Sequence, residues 1–169
     1  MSKATIRAKP VRRPVAGKTA SKKTVSYAGV VIGQIHGHKS ESRTVKISPG
    51  NLIAVIHTGL PVQELDVLQT SLGVPMDKLA PKLGMSKATL HRRKAQGRLD
   101  PEESDRVLRF ARLMGKAVEV MESEDAARRW MASSQVGLGG AVPLDYAETE
   151  VGAREVEDLL GRIEYGVYS

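Results

Sequence analysis

A helix written between Asp100 and Glu122 limits the fold more than any other feature of the chain. Asp100 has the short acceptor side chain of a helix cap, Pro101 suits the first helical position, and Glu102 and Glu103 place acids where the helix dipole favours them. Beyond this start Val107, Phe110, Ala111, Met114, Ala117, Val118 and Met121 recur at three- and four-residue steps, which keeps one stripe apolar to about Glu122. With one Trp, one Phe and four Tyr in the chain, that stripe must be covered mainly by aliphatic side chains of other helices, and the expected fold is all-α. The cover comes either from within the chain or from a second copy, since a stripe rich in Ala and Met serves equally as core or as a helix-to-helix dimer seam.

Upstream, Pro49 followed by Leu52, Ile53, Val55 and Ile56, with Gly59 as a stop, predicts a short helix. Pro61 to Leu72 predicts a second, with Leu65, Leu68 and Leu72 on one face and Gly73 ending it. Met76 to Gly97 then has the spacing of a helix-turn-helix: Leu79, Ala80 and Leu83 line one helix, Gly84 permits the sharp turn, Ser86 caps the next, and Leu90 faces inward. Pro81 departs from the pattern, because proline inside a helix removes a hydrogen bond, and only a short helix tolerates it there.

Residues 76 to 99 hold seven basic side chains against the single acid Asp77. A helix presented to the major groove needs short polar residues at its start and long cations flanking them. On that reading Ser86, Lys87 and Thr89 face bases or nearby phosphates, while Arg92, Arg93 and Lys94 clamp phosphates or reach base edges. The bland alternative is a solvated basic face. His91 reads as a surface neighbour of phosphates rather than as a catalyst.

The net charge of +7 is unevenly distributed. Residues 1–46 carry eleven Lys and Arg against Glu41, residues 47–116 carry eleven against seven acids, and residues 117–169 carry four against eleven. A basic front and an acidic back imply two partners, nucleic acid for the first and a protein with a positively charged cleft for the second. Residues 1–48 are expected to form a basic, largely disordered arm that adds salt-sensitive DNA affinity, with a short strand allowed between Tyr27 and Ile35. The Arg-rich, acid-free start also fits a transit peptide, but nothing else in the chain looks organellar.

Several function classes drop out. Cysteine is absent, which excludes disulfides and thiolate zinc sites and fits a reducing cytosol. No apolar run approaches a bilayer span, so no membrane partner is expected. Gly17-Lys18-Thr19 has Arg12 where a phosphate loop requires glycine, and His36 and His38 lack a third ligand nearby. Gly137 to Gly140 has turn spacing rather than cofactor-loop spacing, and Glu155, Glu157 and Asp158 fall on a charged helix face. No cofactor, metal or catalytic residue is expected.

The end of the chain is the most distinctive stretch. Val156, Leu159, Leu160 and Ile163 share one face of a helix capped by Thr149 and stopped near Gly166, which leaves Val167, Tyr168 and Ser169 as a short closing peptide with a free carboxylate. Either this end docks on a partner, or Tyr165 and Tyr168 pack back as the edge of the core. Ala127-Arg128-Arg129-Trp130, then Leu138-Gly139-Gly140 with Pro143-Leu144-Asp145, then Thr149, Gly152, Val156 and the run from Leu159 to Ser169 resemble the toxin-binding domain of Xre/MbcA/ParS-type antitoxins. The likeness covers roughly residues 60–169.

The resemblance implies an Xre/Cro-like helix-turn-helix domain over residues 49–122, followed by a small helical toxin-binding domain over 123–169. It implies an antitoxin that blocks an NAD-consuming RES-domain toxin and represses its own operon by binding operator DNA. Arg162, Tyr165, Gly166, Val167, Tyr168 and Ser169 would then bind the toxin, with Tyr165, Tyr168 and the Ser169 carboxylate, an anion mimic, at the mouth of its NAD cleft. Arg162 would meet an acid of the toxin or, locally, Asp158. At least a homodimer is expected, formed through the helical N-terminal domain. The alternative is a stand-alone helix-turn-helix regulator whose C-terminal domain encloses a pocket for a small molecule.

Overall fold

The computed structural model describes residues 49–167. The expectations for the arm, for the motifs at Gly17 and His36, and for Tyr168 and Ser169 lie outside these residues. Among the described residues every regular element is helical: α1 (Pro49–Thr58), α2 (Glu64–Leu72), α3 (Met76–Lys82), α4 (Lys87–Gln96), α5 (Pro101–Met121), α6 (Glu124–Ala132), a 3-10 turn (Val136–Leu138), α7 (Pro143–Tyr146) and α8 (Glu150–Glu164).

The second helix begins at Glu64 rather than at Pro61. Pro61 and Val62 instead run antiparallel to the link before α5, where Val62 N–H donates to Gly97 O at 3.1 Å, Leu99 N–H donates to Leu60 O at 2.9 Å, and Pro61 bridges Arg98. Gly59 makes this approach possible. Its φ is 82°, and a Cβ there would run into the Leu99 carbonyl. Ser104 of α5 fixes the crossing, accepting from Leu60 N–H at 2.8 Å and donating to Asp100 O at 2.6 Å.

Helix α5 starts as its sequence predicts, and the start is stronger than the acid pattern alone implied. Asp100 accepts from Glu103 N–H at 2.8 Å while the Glu103 carboxylate accepts from Asp100 N–H at 2.9 Å, a reciprocal capping box. The stripe from Val107 to Val118 is buried, along with Leu108, Leu113 and Gly115, because α1, α2, α6 and α8 all pack around α5. Intramolecular packing therefore fills the stripe. Glu122, with φ 55°, ends α5 and turns the chain into α6, which Ser123 caps.

The buried side chains form one cluster that runs from Leu60 through Phe110 to Leu160. The segments on either side of residue 122 share it. Phe110 is fully buried at the centre of α5. Phe110→Ala is expected to cost about 3–5 kcal/mol in urea unfolding. Trp130 fluorescence and far-UV circular dichroism should report the same single transition, as one shared core requires.

Candidate functional site

The helix-turn-helix forms as predicted. Leu83 N–H reaches Leu79 O at 3.2 Å, Met85 N–H returns to Ala80 O at 2.9 Å, and Gly84 between them has φ 73°. Pro81 sits in the last turn of α3, where the single lost bond falls one residue before the helix ends. Ser86 caps α4, accepting from Thr89 N–H at 3.1 Å, and its hydroxyl lies 3.0 Å from that of Thr89.

Helix α4 contributes no fully buried side chain, and Leu90 is only partly buried against the core. Lys87, Arg92 and Lys94 are exposed and form no ion pair among the described residues. Lys87 and Lys94 are seven residues apart on one side of the helix with His91 between them, and Arg92 projects from another flank. Ser86 and Thr89 stand at the helix start beside Lys87.

Arg93, expected beside these cations, is turned away from them. Its Nε donates to Glu103 at 2.7 Å, its terminal nitrogens reach the Asp100 carboxylate and, at 3.1 Å, Gln96 Oε1. The bond to Glu103, with the nearby acidic charges, raises the guanidinium above its ordinary pKa against the effect of burial. Arg93 thus ties α4 to the capping box of α5. The sequence carried a hint of this, because Asp100 and Glu103 lie seven and ten residues beyond Arg93, but the link is legible only once the loop between the helices is seen to be short.

At the other end, α8 forms between a Thr149 cap, which accepts from Gly152 N–H at 3.0 Å, and Tyr165. Gly166 has φ 68°, which lets Val167 N–H fold back to Arg162 O at 2.9 Å. Tyr165 is 79% exposed and Val167 54% exposed, so neither serves as an edge of the core. Arg162 is also exposed, and its local pair with Asp158 is not made.

The acids of residues 117–169 are less available than their number implies. Asp145 and Glu148 bind Lys82 of α3, while Glu150, Glu157 and Glu164 of α8 meet Arg109, Arg112 and Lys116 of α5. Burial works against the charge on Lys82, but the bonds to Asp145 and Glu148 outweigh it and raise the ammonium above the ordinary lysine range. Burial likewise opposes ionisation of Glu150, and the Arg154 bond together with the charges of Arg109 and Arg112 holds its carboxyl below the usual value. This seam was missed from the sequence. Its signal is the seven-residue repeat Glu150, Glu157, Glu164, which acquires meaning only when its face is known to lie on α5.

Among the described residues no group of three or more His, Cys, Asp or Glu is placed to hold a metal, and no helix is long and apolar enough to cross a membrane.

Two family models match this chain: an antitoxin Xre-like helix-turn-helix domain over residues 52–112, and the antitoxin Xre/MbcA/ParS C-terminal toxin-binding domain over residues 116–166. The chain is 38% identical over 120 residues to Antitoxin Xre of Yersinia enterocolitica, covering 70% of this chain and 81% of that protein. It is 34% identical over 121 residues to Antitoxin Xre of Photorhabdus laumondii, covering 70% and 82%. It is 28% identical over 134 residues to a Prs ADP-ribosylating antitoxin of a Sphingobium species, covering 73% and 84%.

Proposed function

We propose a function on one premise: the chain belongs to the Xre family of antitoxins of toxin–antitoxin systems. It binds and blocks a RES-domain toxin that degrades NAD, and it represses its own operon by binding operator DNA as at least a homodimer in the cytoplasm. The observation that carries the toxin half is the match of a toxin-binding domain to the segment that ends in exposed Tyr165 and Val167. It acts by occlusion rather than by catalysis. Arg162, Tyr165, Gly166, Val167, Tyr168 and Ser169 contact the toxin, and the closing peptide after Tyr165 covers its NAD cleft.

On the DNA side, Lys87, Arg92 and Lys94 neutralise phosphates or reach base edges, Ser86 and Thr89 lie at the groove, and Arg93 fixes the helix that carries them. Residues 1–48 add affinity without sequence preference. The name of the Sphingobium relative supports a second reading of the toxin, in which its activity is ADP-ribosylation rather than NAD degradation. Family membership favours either form over a stand-alone regulator that senses a small molecule.

Co-expression with the product of the neighbouring gene tests the toxin half. The two proteins should co-purify, and the neighbour alone should deplete NAD and stop growth. For the DNA half, Arg92→Ala should weaken operator binding and reduce the slope of log K against log salt by about one, as expected for one lost phosphate contact. Toxin neutralisation should be unchanged. An unaltered slope would remove Arg92 from the phosphate contacts.

A further inference from the structure

We infer that the outward stripe of α8 is the surface that anchors the toxin, separately from the closing peptide that blocks it. The inference rests on the antitoxin reading and locates its protein interface. Val151, Glu155, Asp158, Arg162 and Tyr165 follow one another at alternating steps of four and three, so they lie along one side of the helix. All five are exposed. From Val151 to Tyr165 the stripe is about 20 Å long at the rise of an α-helix.

The charges of α8 divide by face. Glu150, Arg154, Glu157 and Glu164 are all committed to ion pairs, with Arg109, Arg112 and Lys116 of α5 or with each other. Glu155, Asp158 and Arg162 form none among the described residues. Asp158 and Arg162 have the acid-before-base spacing that favours a local pair on a solvated helix, yet the pair is not formed. At the two ends of this charged centre stand Val151, 73% exposed, and Tyr165, 79% exposed.

A surface with apolar ends and an unpaired charged middle fits a partner of matching pattern. The occupant is the toxin, because the stripe lies wholly within the segment matched by the toxin-binding domain and runs directly into the closing peptide. The toxin must offer an apolar contact to Val151, cations to Glu155 and Asp158, an acid to Arg162 and a slot for the Tyr165 ring. Charge complementarity of this kind sets partner choice and association rate, while an aromatic anchor supplies affinity.

The test uses the full-length chain and the purified product of the neighbouring gene, with binding measured by calorimetry. Glu155→Lys with Asp158→Lys should weaken the complex at least about tenfold, and Glu155→Gln with Asp158→Asn should weaken it less. Tyr165→Ala should weaken it by a comparable factor. Operator affinity and the thermal midpoint of each variant should match the parent, since these exposed side chains make no hydrogen bond or ion pair among the described residues. Parent-like toxin affinity in the reversed-charge variant would overturn the stripe as anchor while leaving the antitoxin reading intact. Absence of binding by the parent chain itself would overturn both. Should the lysine variant unfold early, the neutral pair and Tyr165→Ala decide the matter by the same comparison.

Discussion

Truncation after Tyr165 should leave the antitoxin bound to its toxin and yet return NAD consumption to that toxin. Gly166 is where the helix is released: its left-handed backbone ends the α8 run, and Val167 N–H bonds back to Arg162 O. Nothing buried is lost by cutting there, because Tyr165, Gly166 and Val167 are all exposed. The shared core and the ion pairs between α5 and α8 end at Glu164. Fold and operator affinity should therefore be those of the full chain. What is removed is an aromatic ring and the short segment carrying it, a group of the kind that contributes about 2–4 kcal/mol when it fills a partner's pocket. That corresponds to a loss of inhibition of roughly 30- to 1,000-fold. NAD loss measured with equimolar truncated antitoxin should approach that of free toxin, while the two proteins still elute together. Full inhibition by the truncated chain would place occlusion in the body of the domain.

The helix boundaries and the ion pairs differ in how far they could be read from the residues. Caps and stops were legible because each is a local chemical requirement. Ser86, Asp100 and Thr149 supply side-chain acceptors, and Gly59, Gly73, Gly84 and Gly166 adopt the left-handed backbone at the predicted ends. The apolar stripe of α5 was legible for the same reason, being a period in the sequence. The start of α2 was misplaced because the backbone groups of residues 60–62 bond across the fold to residues 97–99, a pairing that no local pattern announces.

Side-chain commitments were the least legible. Arg92 and Arg93 are chemically alike in the sequence, but successive residues on a helix point about 100° apart, so one faces solvent and the other faces α5. Charge alone makes the acidic tail a docking surface, whereas Glu150, Glu157 and Glu164 are spent on α5. Net charge fixes neither face. The acids left over on α8, Glu155 and Asp158, are visible only after the internal pairs have been subtracted.

Arg93→Ala should lower operator affinity about as much as loss of a direct contact, but without changing its salt dependence. With no fully buried side chain, α4 depends for its orientation on Leu90, the turn before it and the Arg93 link to Asp100 and Glu103. The Glu103 side chain is 6% exposed and that of Arg93 16%, so removing the guanidinium leaves a carboxylate with little water to replace it. For a fully buried pair that loss is about 3–5 kcal/mol, and the capping box, which still offers Glu103 the Asp100 N–H at 2.9 Å, should hold the cost toward the lower figure. A helix that tilts or frays presents Lys87, Arg92 and Lys94 out of register, and binding should fall by about ten- to a hundredfold if 1.4–2.8 kcal/mol of that cost is borne by the complex. If Arg93 stays on Asp100 and Glu103 and neutralises no phosphate, the slope of log K against log salt should stay at its parental value, in contrast to Arg92→Ala. Glu103→Gln should reproduce the defect from the other side, keeping the shape of the residue while removing the charge that Arg93 grips. Should Arg93→Ala instead reduce the slope by about one while Glu103→Gln binds operator normally, the guanidinium leaves Glu103 in the complex and meets a phosphate directly.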